Sequence, residues 1–507
     1  MKNRTAKGII AVFLALVLLA APVLACMANA YEATVPTIEM RGFMSSTIYA
    51  VENDPESEQL WPPTTDKILG LVKNILGPLA KLSVNRDWDA FAYVLAGEVN
   101  NMLGDLWLDN NGDLTDNSGV YMPYPAEDEV VKDGEYEFVF DWRIDPYEAA
   151  AGLNDFVQYI LEASGSDKVN IICHSYAGIV VTCYMEEFGC DAVRSVCYNS
   201  TAVYGAGFTK DIIRGKLFVG GDSALSGSGA ESVIAYLLGA FSNNQYATII
   251  DTVIDMVSKA GLIDFLSNFL NKLLLNSSDI LYKESVAPLF GLWPAIWAMI
   301  PDEDFEEGLD CIFNDVLADT GEDYSGLFEK IDHYTESVRE KREDVLNTIN
   351  DNCNFYVISR YGYSALPLTT SWHTMTDGVL DTKATSFGAT VSDYDVTDLF
   401  EVTNEYISPN GQIDASTCLF PEQTWFIRSA SHIQHFPDIQ KLAKELVCYD
   451  GQATVETFEQ YPRFMYYSAA TDSLIADPGI SAPMTFIQKF VEFFKEFFAL
   501  IFSIFKK

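Results

Sequence analysis

From residue 136 to residue 198 the apolar positions change period again and again. Tyr136 to Trp142 carries aromatic side chains at alternate positions, the period of a strand. Leu153, Phe156, Val157 and Ile160 then recur at helical spacing. Val169 to Cys173 is apolar except for Asn170, Ala177 to Phe188 is helical again, and Ala192 to Tyr198 is a further strand. Short strands that are apolar on both faces belong to parallel sheets covered on each side. The pattern therefore predicts an α/β fold: a mostly parallel sheet with helices on both faces. Upstream, Thr37 to Ser46 reads as a short strand entering a glycine turn, followed by apolar helical patterns near 66–82 and 89–104.

The alternation stops near residue 205 and resumes at Asn354 to Ile358. The intervening 205–350 is helical in pattern, with Ile249–Leu275 and Val286–Ile300 more apolar than a solvated layer requires, and Phe328–Asn350 charged enough to form one long solvated helix. This segment is expected to be a helical cap inserted between a first core part, 31–204, and a second, 351–450. Thr424 to Arg428 reads as the last strand and Pro437 to Val447 as the last core helix. A linker, 451–480, then leads to an amphipathic C-terminal helix, 481–507.

The ends add an address. Lys2, Arg4 and Lys7 precede an uncharged apolar run, Gly8–Leu24, and Ala28-Asn29-Ala30 has the form of a signal-peptidase site, so residues 1–30 are expected to be a removed export signal. Val23-Leu24-Ala25-Cys26 loosely matches a lipoprotein box and ranks second. On a helical wheel for Phe486–Phe505, the charged and small residues gather on one side and every phenylalanine lies elsewhere. Charges at Lys489, Glu492, Lys495 and Glu496 argue against spanning, so a helix lying in a membrane interface is expected, beside docking on the protein or self-association. The protein is thus expected to be exported, secreted or held at the cell surface.

Composition narrows the chemistry. Across 507 residues, 72 Asp and Glu stand against 32 Lys and Arg, a formal charge of −40. Phosphate recognition depends on clustered cations, so nucleic acid is excluded as a partner. With 49% apolar residues the chain is no acidic coil. No CxxC pair appears, and Asp109-Asn110-Asn111-Gly112-Asp113 has Leu114 and Val120 where a calcium loop needs glycine and glutamate; metal and cofactor are both absent from the expectation. Eight cysteines lie beyond residue 30, an even number that permits disulfides in an exported chain, although Cys173 and Cys197 sit in apolar runs that look like central strands. Only five histidines are present, so a base working near neutral pH is one of few residues.

Strand Val169–Cys173 runs directly into His174-Ser175-Tyr176-Ala177-Gly178 and a helix. A serine on such a turn projects its hydroxyl above the sheet edge, which makes Ser175 the candidate nucleophile. Measured against G-x-S-x-G, Cys173 and Ala177 replace the glycines. Serine needs a base, and the base an orienting acid, in chain order Ser, acid, His. Asp377, in Thr376-Asp377-Gly378-Val379-Leu380, is the first candidate acid and Asp381 the runner-up. The loop Ser429–His435 after the Thr424–Arg428 strand offers His432 as base and His435 as its rival. His174 is expected to pack beside the turn, His333 to lie in the charged cap helix, and His373 to be a loop residue. Two oxyanion donors are expected, the Tyr176 N–H and, from the Arg41-Gly42-Phe43 turn, the Phe43 N–H.

These blocks resemble a known family. Gly42-Phe43-Met44-Ser45-Ser46 is similar to its P-G-F-M-G-S oxyanion segment, Phe140-Asp141-Trp142-Arg143 to its Y-D-W-R strand end, and Cys173-His174-Ser175-Tyr176-Ala177-Gly178 to its G-H-S-M-G-G elbow. Leu289–Pro301 resembles the cap segment ending L-L-P, and Asp377-Gly378-Val379-Leu380 the acid turn D-G-T-V. Together they resemble the lecithin-cholesterol acyltransferase-like α/β hydrolases, lipases and acyltransferases. The resemblance implies an α/β-hydrolase fold and an exported serine hydrolase that cleaves or transfers acyl groups of lipid or other long-chain esters. Asp141 and Arg143 are read as a loop anchor. The apolar cap residues Leu289, Phe290, Trp293 and Trp297, above the elbow, suggest an acyl tunnel. The competing expectation is an inactive hydrolase-fold protein that binds lipid or a surface partner.

Overall fold

In a computed structural model, which describes residues 35–215, 279–365, 373–394, 396, 399–468 and 471–479, the apolar runs assemble into an eight-stranded sheet. Its strands are β1 (Thr37–Met40), β2 (Glu135–Phe138), β3 (Val169–Ser175), β4 (Val193–Thr201), β5 (Asn354–Tyr361), β6 (Thr424–Arg428), β7 (Phe464–Ser468) and β8 (Ser473–Ala476). They lie in the order β8-β7-β6-β5-β4-β3-β1-β2, and every neighbouring pair is parallel except β7 with β8. The main helices are α1 (Thr65–Asn85), α2 (Trp88–Leu103), α3 (Pro146–Ser164), α4 (Ala177–Phe188), α5 (Gly207–Ile213), α6 (Pro294–Met299), α7 (Ser325–Tyr334), α8 (Arg342–Asn352) and α9 (Pro437–Cys448). The chain is an α/β protein with a mostly parallel central sheet between helical layers.

Successive strand side chains enter different cores, as the two-residue period of a strand requires. Ile171 and Cys173 of β3 join a large cluster with α3, α4 and the described cap residues, whereas Ile172 between them joins α9 on the opposite face. Helix α3 shows which force dominates. Its N-cap Asp145 accepts from the Tyr147 N–H at 3.0 Å, a contribution of about 1 kcal/mol. Leu153, Phe156, Val157 and Ile160 are each fully buried, at about 1.5–3 kcal/mol apiece, so the apolar stripe rather than the cap holds the helix to the sheet. Residue Gly165, at φ +63°, ends it.

Three expectations change. The segment 451–480, read as a linker, supplies β7 and β8, so the sheet continues past Thr424–Arg428. The fully buried Asp477 carboxylate accepts from Arg428 of β6 and from the Tyr361 hydroxyl of β5, which locks this end of the chain onto the core. Next, the charged stretch 328–350 is not one helix. Helix α7 passes into a π-helical turn, Thr335–Arg339, before α8 begins. The wider turn carries Arg339 inward, where it donates to the carbonyls of Trp297 and Ile300 at the end of α6. Third, Leu289, Trp293 and Trp297 do not line open space. They are buried in the cap core, the two indoles donating to the carbonyls of Leu106 and Gly291.

Of the expected cap, α5 to α8 are described, while Ile249–Leu275 lies outside the described residues, as do 1–30 and 481–507, the segments expected to be an export signal and an amphipathic helix. No described helix is long and apolar enough to cross a membrane. The Asp109–Asp113 segment is a polar turn, closed by the Asp109 carboxylate accepting from the Asn111 and Asp113 N–H groups at 2.8 and 3.0 Å.

Candidate active site

Ser175 ends β3 with φ +61°, a region that costs a residue with a Cβ about 1–3 kcal/mol. The strain is kept because α4 begins two residues on and must pack back against the sheet at once. Gly178 makes that approach: a Cβ there would lie 2.4 Å from the Thr201 Cβ at the end of β4. Ala177 and Cys173, which stand where the elbow motif has glycine, are both fully buried and accommodated.

His432 Nε2 lies 2.9 Å from Ser175 Oγ, and His432 Nδ1 lies 2.7 Å from Asp377 Oδ2. The second carboxylate oxygen, Oδ1, accepts from the N–H groups of Val379 and Leu380 at 3.0 and 2.8 Å, so the turn fixes the acid and leaves one oxygen for the imidazole. Gly378, at φ +99°, allows that turn. A further bond, from the His432 N–H to the Asp377 carbonyl at 2.8 Å, ties the two loops together. With the carboxylate as acceptor, Nδ1 carries the proton and Nε2 is free to accept from the serine hydroxyl. Asp377 is fully buried and His432 nearly so, which removes competing water from both bonds.

The runner-up residues lie elsewhere. His435 is exposed and pairs with Gln440 at 3.1 Å. Asp381 turns away from the imidazole and toward the first cap helix, where a Cβ on Gly207 would lie 2.7 Å from its Oδ2. Burial pushes Asp381 up to about 6, against the pull of Lys210. Of the other histidines, His333 stacks on Tyr147 at 4.0 Å between ring centroids.

On the opposite side of Ser175 runs the Arg41-Gly42-Phe43 turn. A Cβ on Gly42 would lie 2.4 Å from the Ser175 Cβ and 2.8 Å from the Tyr176 nitrogen, so only glycine lets this backbone reach the serine. Among the described residues no acceptor engages the N–H of Phe43 or of Tyr176. Two indoles hold the turn: Trp61 donates to the Met44 carbonyl at 3.0 Å and Trp142 to the Ser46 carbonyl at 3.1 Å. The Phe43 ring packs against Trp142 and, across the cap boundary, Trp293. Arg41, Ser45, Ser46, Thr47 and Tyr49, with Phe138 and Val139, border a cavity of about 190 Å³ beside this turn. Asp141 and Arg143 pair at 2.7 Å, and Arg143 also donates to Ser118, a buried anchor of neighbouring loops.

No family model and no curated protein matches the chain. A solved structure, "The crystal structure of Tle4-Tli4 complex", aligns at 13% identity with a TM-score of 0.20. The alignment covers 36% of this chain and 48% of that one, less than half its length and too slight to bear on fold or activity.

One residue escaped the sequence reading, and His174, expected to pack beside the turn, does so. Arg360 of β5 is buried; it donates to the carbonyls of Ser431 and His432 at 3.0 and 3.3 Å and to the Asn199 side chain at 3.1 Å. Burial pushes it down to about 10, with Asp377 pulling the other way, so it stays charged at neutral pH. The His174 ring lies 4.5 Å from that of His432. Burial first, then the nearby His432, Arg360 and Arg41, hold His174 well below the usual histidine range. It is therefore a neutral plate behind the imidazole.

Proposed function

We propose that this protein is a serine hydrolase or acyltransferase of the α/β-hydrolase fold, similar to the lecithin-cholesterol acyltransferase-like enzymes, acting on lipid or other long-chain esters. The carrying observation is the continuous hydrogen-bonded path from Ser175 through His432 to Asp377, with a strained serine and a glycine turn on its far side. In this reading Ser175 Oγ attacks the ester carbonyl while its proton passes to His432 Nε2. Asp377 stabilises the imidazolium without taking a proton. The N–H groups of Tyr176 and Phe43 meet the developing oxyanion, each worth on the order of 10²- to 10³-fold in rate. His432 then returns the proton to the leaving alcohol, and water or an acceptor hydroxyl attacks the acyl-serine by the same path reversed. The preference for a long acyl chain rests on the resemblance to the lecithin-cholesterol acyltransferase-like enzymes and on the apolar character of the cap, whose Trp293 is itself buried against Phe43. The proposed setting is outside the cytoplasm, with a lipid interface as partner.

The test is hydrolysis of p-nitrophenyl esters of increasing chain length by the full-length protein and its Ser175→Ala variant. Activity that rises with chain length and disappears in the variant supports the reading. Equal activity in both proteins contradicts it.

A further inference from the structure

Two thiols at the far end of the sheet from Ser175 carry an inference that does not depend on the catalytic reading. Cys190 lies in the turn between α4 and β4, and Cys353 is the residue directly before β5. Strands β4 and β5 are neighbours, with Ser195 paired to Asn354. The fold therefore brings together two cysteines that are 163 residues apart in sequence. Cys353 Sγ lies 3.9 Å from the Cys190 carbonyl and 3.6 Å from that of Val193, which sets this thiol against the backbone of the turn that carries Cys190.

Cys173, Cys183, Cys197, Cys418 and Cys448 are placed differently. Cys173 and Cys197 occupy adjacent strands, but Cys197 is in register with Ile172, and the two side chains enter cores on opposite faces of the sheet. Cys183 is enclosed in the α4 packing, Cys418 donates to the Ala415 carbonyl, and Cys448 faces Asn170.

We propose that Cys190 and Cys353 are joined by a disulfide in the mature protein, a covalent hoop at the root of the helical insertion. The ring so closed contains β4 and everything between β4 and β5, so it pins the starts of these two central strands to each other. A cross-link that closes so long a loop restricts the unfolded chain strongly.

The two thiols also divide the chemistry. Contact with Cys353 holds the Cys190 thiol below the ordinary cysteine value, against the opposing effect of burial. The same contact, then burial, pushes the Cys353 thiol up. Cys190 is also the more accessible of the pair. It is thus the thiolate that attacks a disulfide oxidant such as oxidised glutathione. An S–S bond forms to Cys190 as one glutathione thiolate leaves. Cys353 then loses its proton and attacks the Cys190 sulfur, releasing the second glutathione. Two protein thiols are oxidised, one glutathione disulfide is reduced to two thiols, and the two protons end on them.

The experiment equilibrates the reduced, full-length protein with oxidised glutathione, blocks residual thiols by alkylation under denaturing conditions, and maps peptides without reductant. The expected result is a linked pair of peptides containing Cys190 and Cys353, separated by reductant, with Cys173, Cys183, Cys197, Cys311, Cys418 and Cys448 recovered alkylated. Recovery of Cys190 and Cys353 as alkylated thiols, or of Cys190 joined to another cysteine, overturns the proposal. In Cys353→Ser, Cys190 is expected to accumulate as the mixed disulfide with glutathione; an unmodified Cys190 there contradicts the assigned order of attack. The wild-type map decides the linkage even where that variant fails to fold.

Discussion

Arg360 holds a charge inside the protein with no carboxylate at ion-pair distance among the described residues, a costly arrangement unless its donors are used. They are spent on the carbonyls of Ser431 and His432, the backbone that carries the imidazole. Nη1 reaches both carbonyls while Nη2 donates to the Asn199 side chain, a planar arrangement that a lysine ammonium on a flexible stem reproduces less well. Arg360 is therefore a positioning residue for His432. Replacing it with methionine is expected to lower kcat by about 10²-fold with little change in KM, because displacement of about 1 Å costs that much without touching substrate binding. Arg360→Lys should recover part of the loss; parallel changes in kcat and KM, or no benefit from lysine, would argue for a merely structural part. Ser175, Asp377 and His432 were legible from strand and turn context and chain order. Arg360 was not, since a basic residue within an apolar strand reads as an interruption until the fold shows which carbonyls it meets. Gly42 stood between: its turn was visible, but its need for glycine arises only from Ser175, a residue far along the chain.

Elements were legible where their period was long and undisturbed. Strands β3 and β4 and helices α3 and α4 each bury a continuous face, so their spacing in sequence is the spacing of the core. Strands β7 and β8 were missed because they are short and follow a polar stretch, and because β8 is an antiparallel edge needing only one buried face. The break between α7 and α8 was missed because charged residues suit a solvated helix equally well, whereas Arg339 and Arg342 in fact point inward to α6 and Asp302. Asp381 belongs to this scale, since it stands where the acid turn meets α5. Its folded value, near 6, lies above the carboxyl's ordinary value of 3.8, so the unfolded chain ionises first. The folded state therefore loses stability as pH rises from about 4 to about 6 and does not regain it above. Asp381→Asn is expected to stabilise the protein at pH 7 by about 1–3 kcal/mol and to have little effect near pH 4. Denaturant midpoints at the two pH values measure this; an equal effect at both would assign the change to packing.

At the scale of the whole molecule, the net charge is −40, while among the described residues Asp141, Asp145, Asp211, Asp304, Asp377 and Asp477 are buried. Each of these six was hidden in an overall composition that speaks only of solubility. The architecture places Ser175, Asp377 and His432 at the ends of three different strands or the loops after them, so the hydrogen-bonded path exists only when the sheet is complete. A fluorophosphonate probe reads that path directly, because it reacts with a serine whose proton is being removed. A single adduct on Ser175 is expected, formed by the wild type and by His435→Ala but slowed by orders of magnitude in His432→Ala, whose folded state is checked by thermal unfolding. A wild type that takes up no probe, or an adduct whose rate is unchanged in a folded His432→Ala protein, would contradict the proposed mechanism.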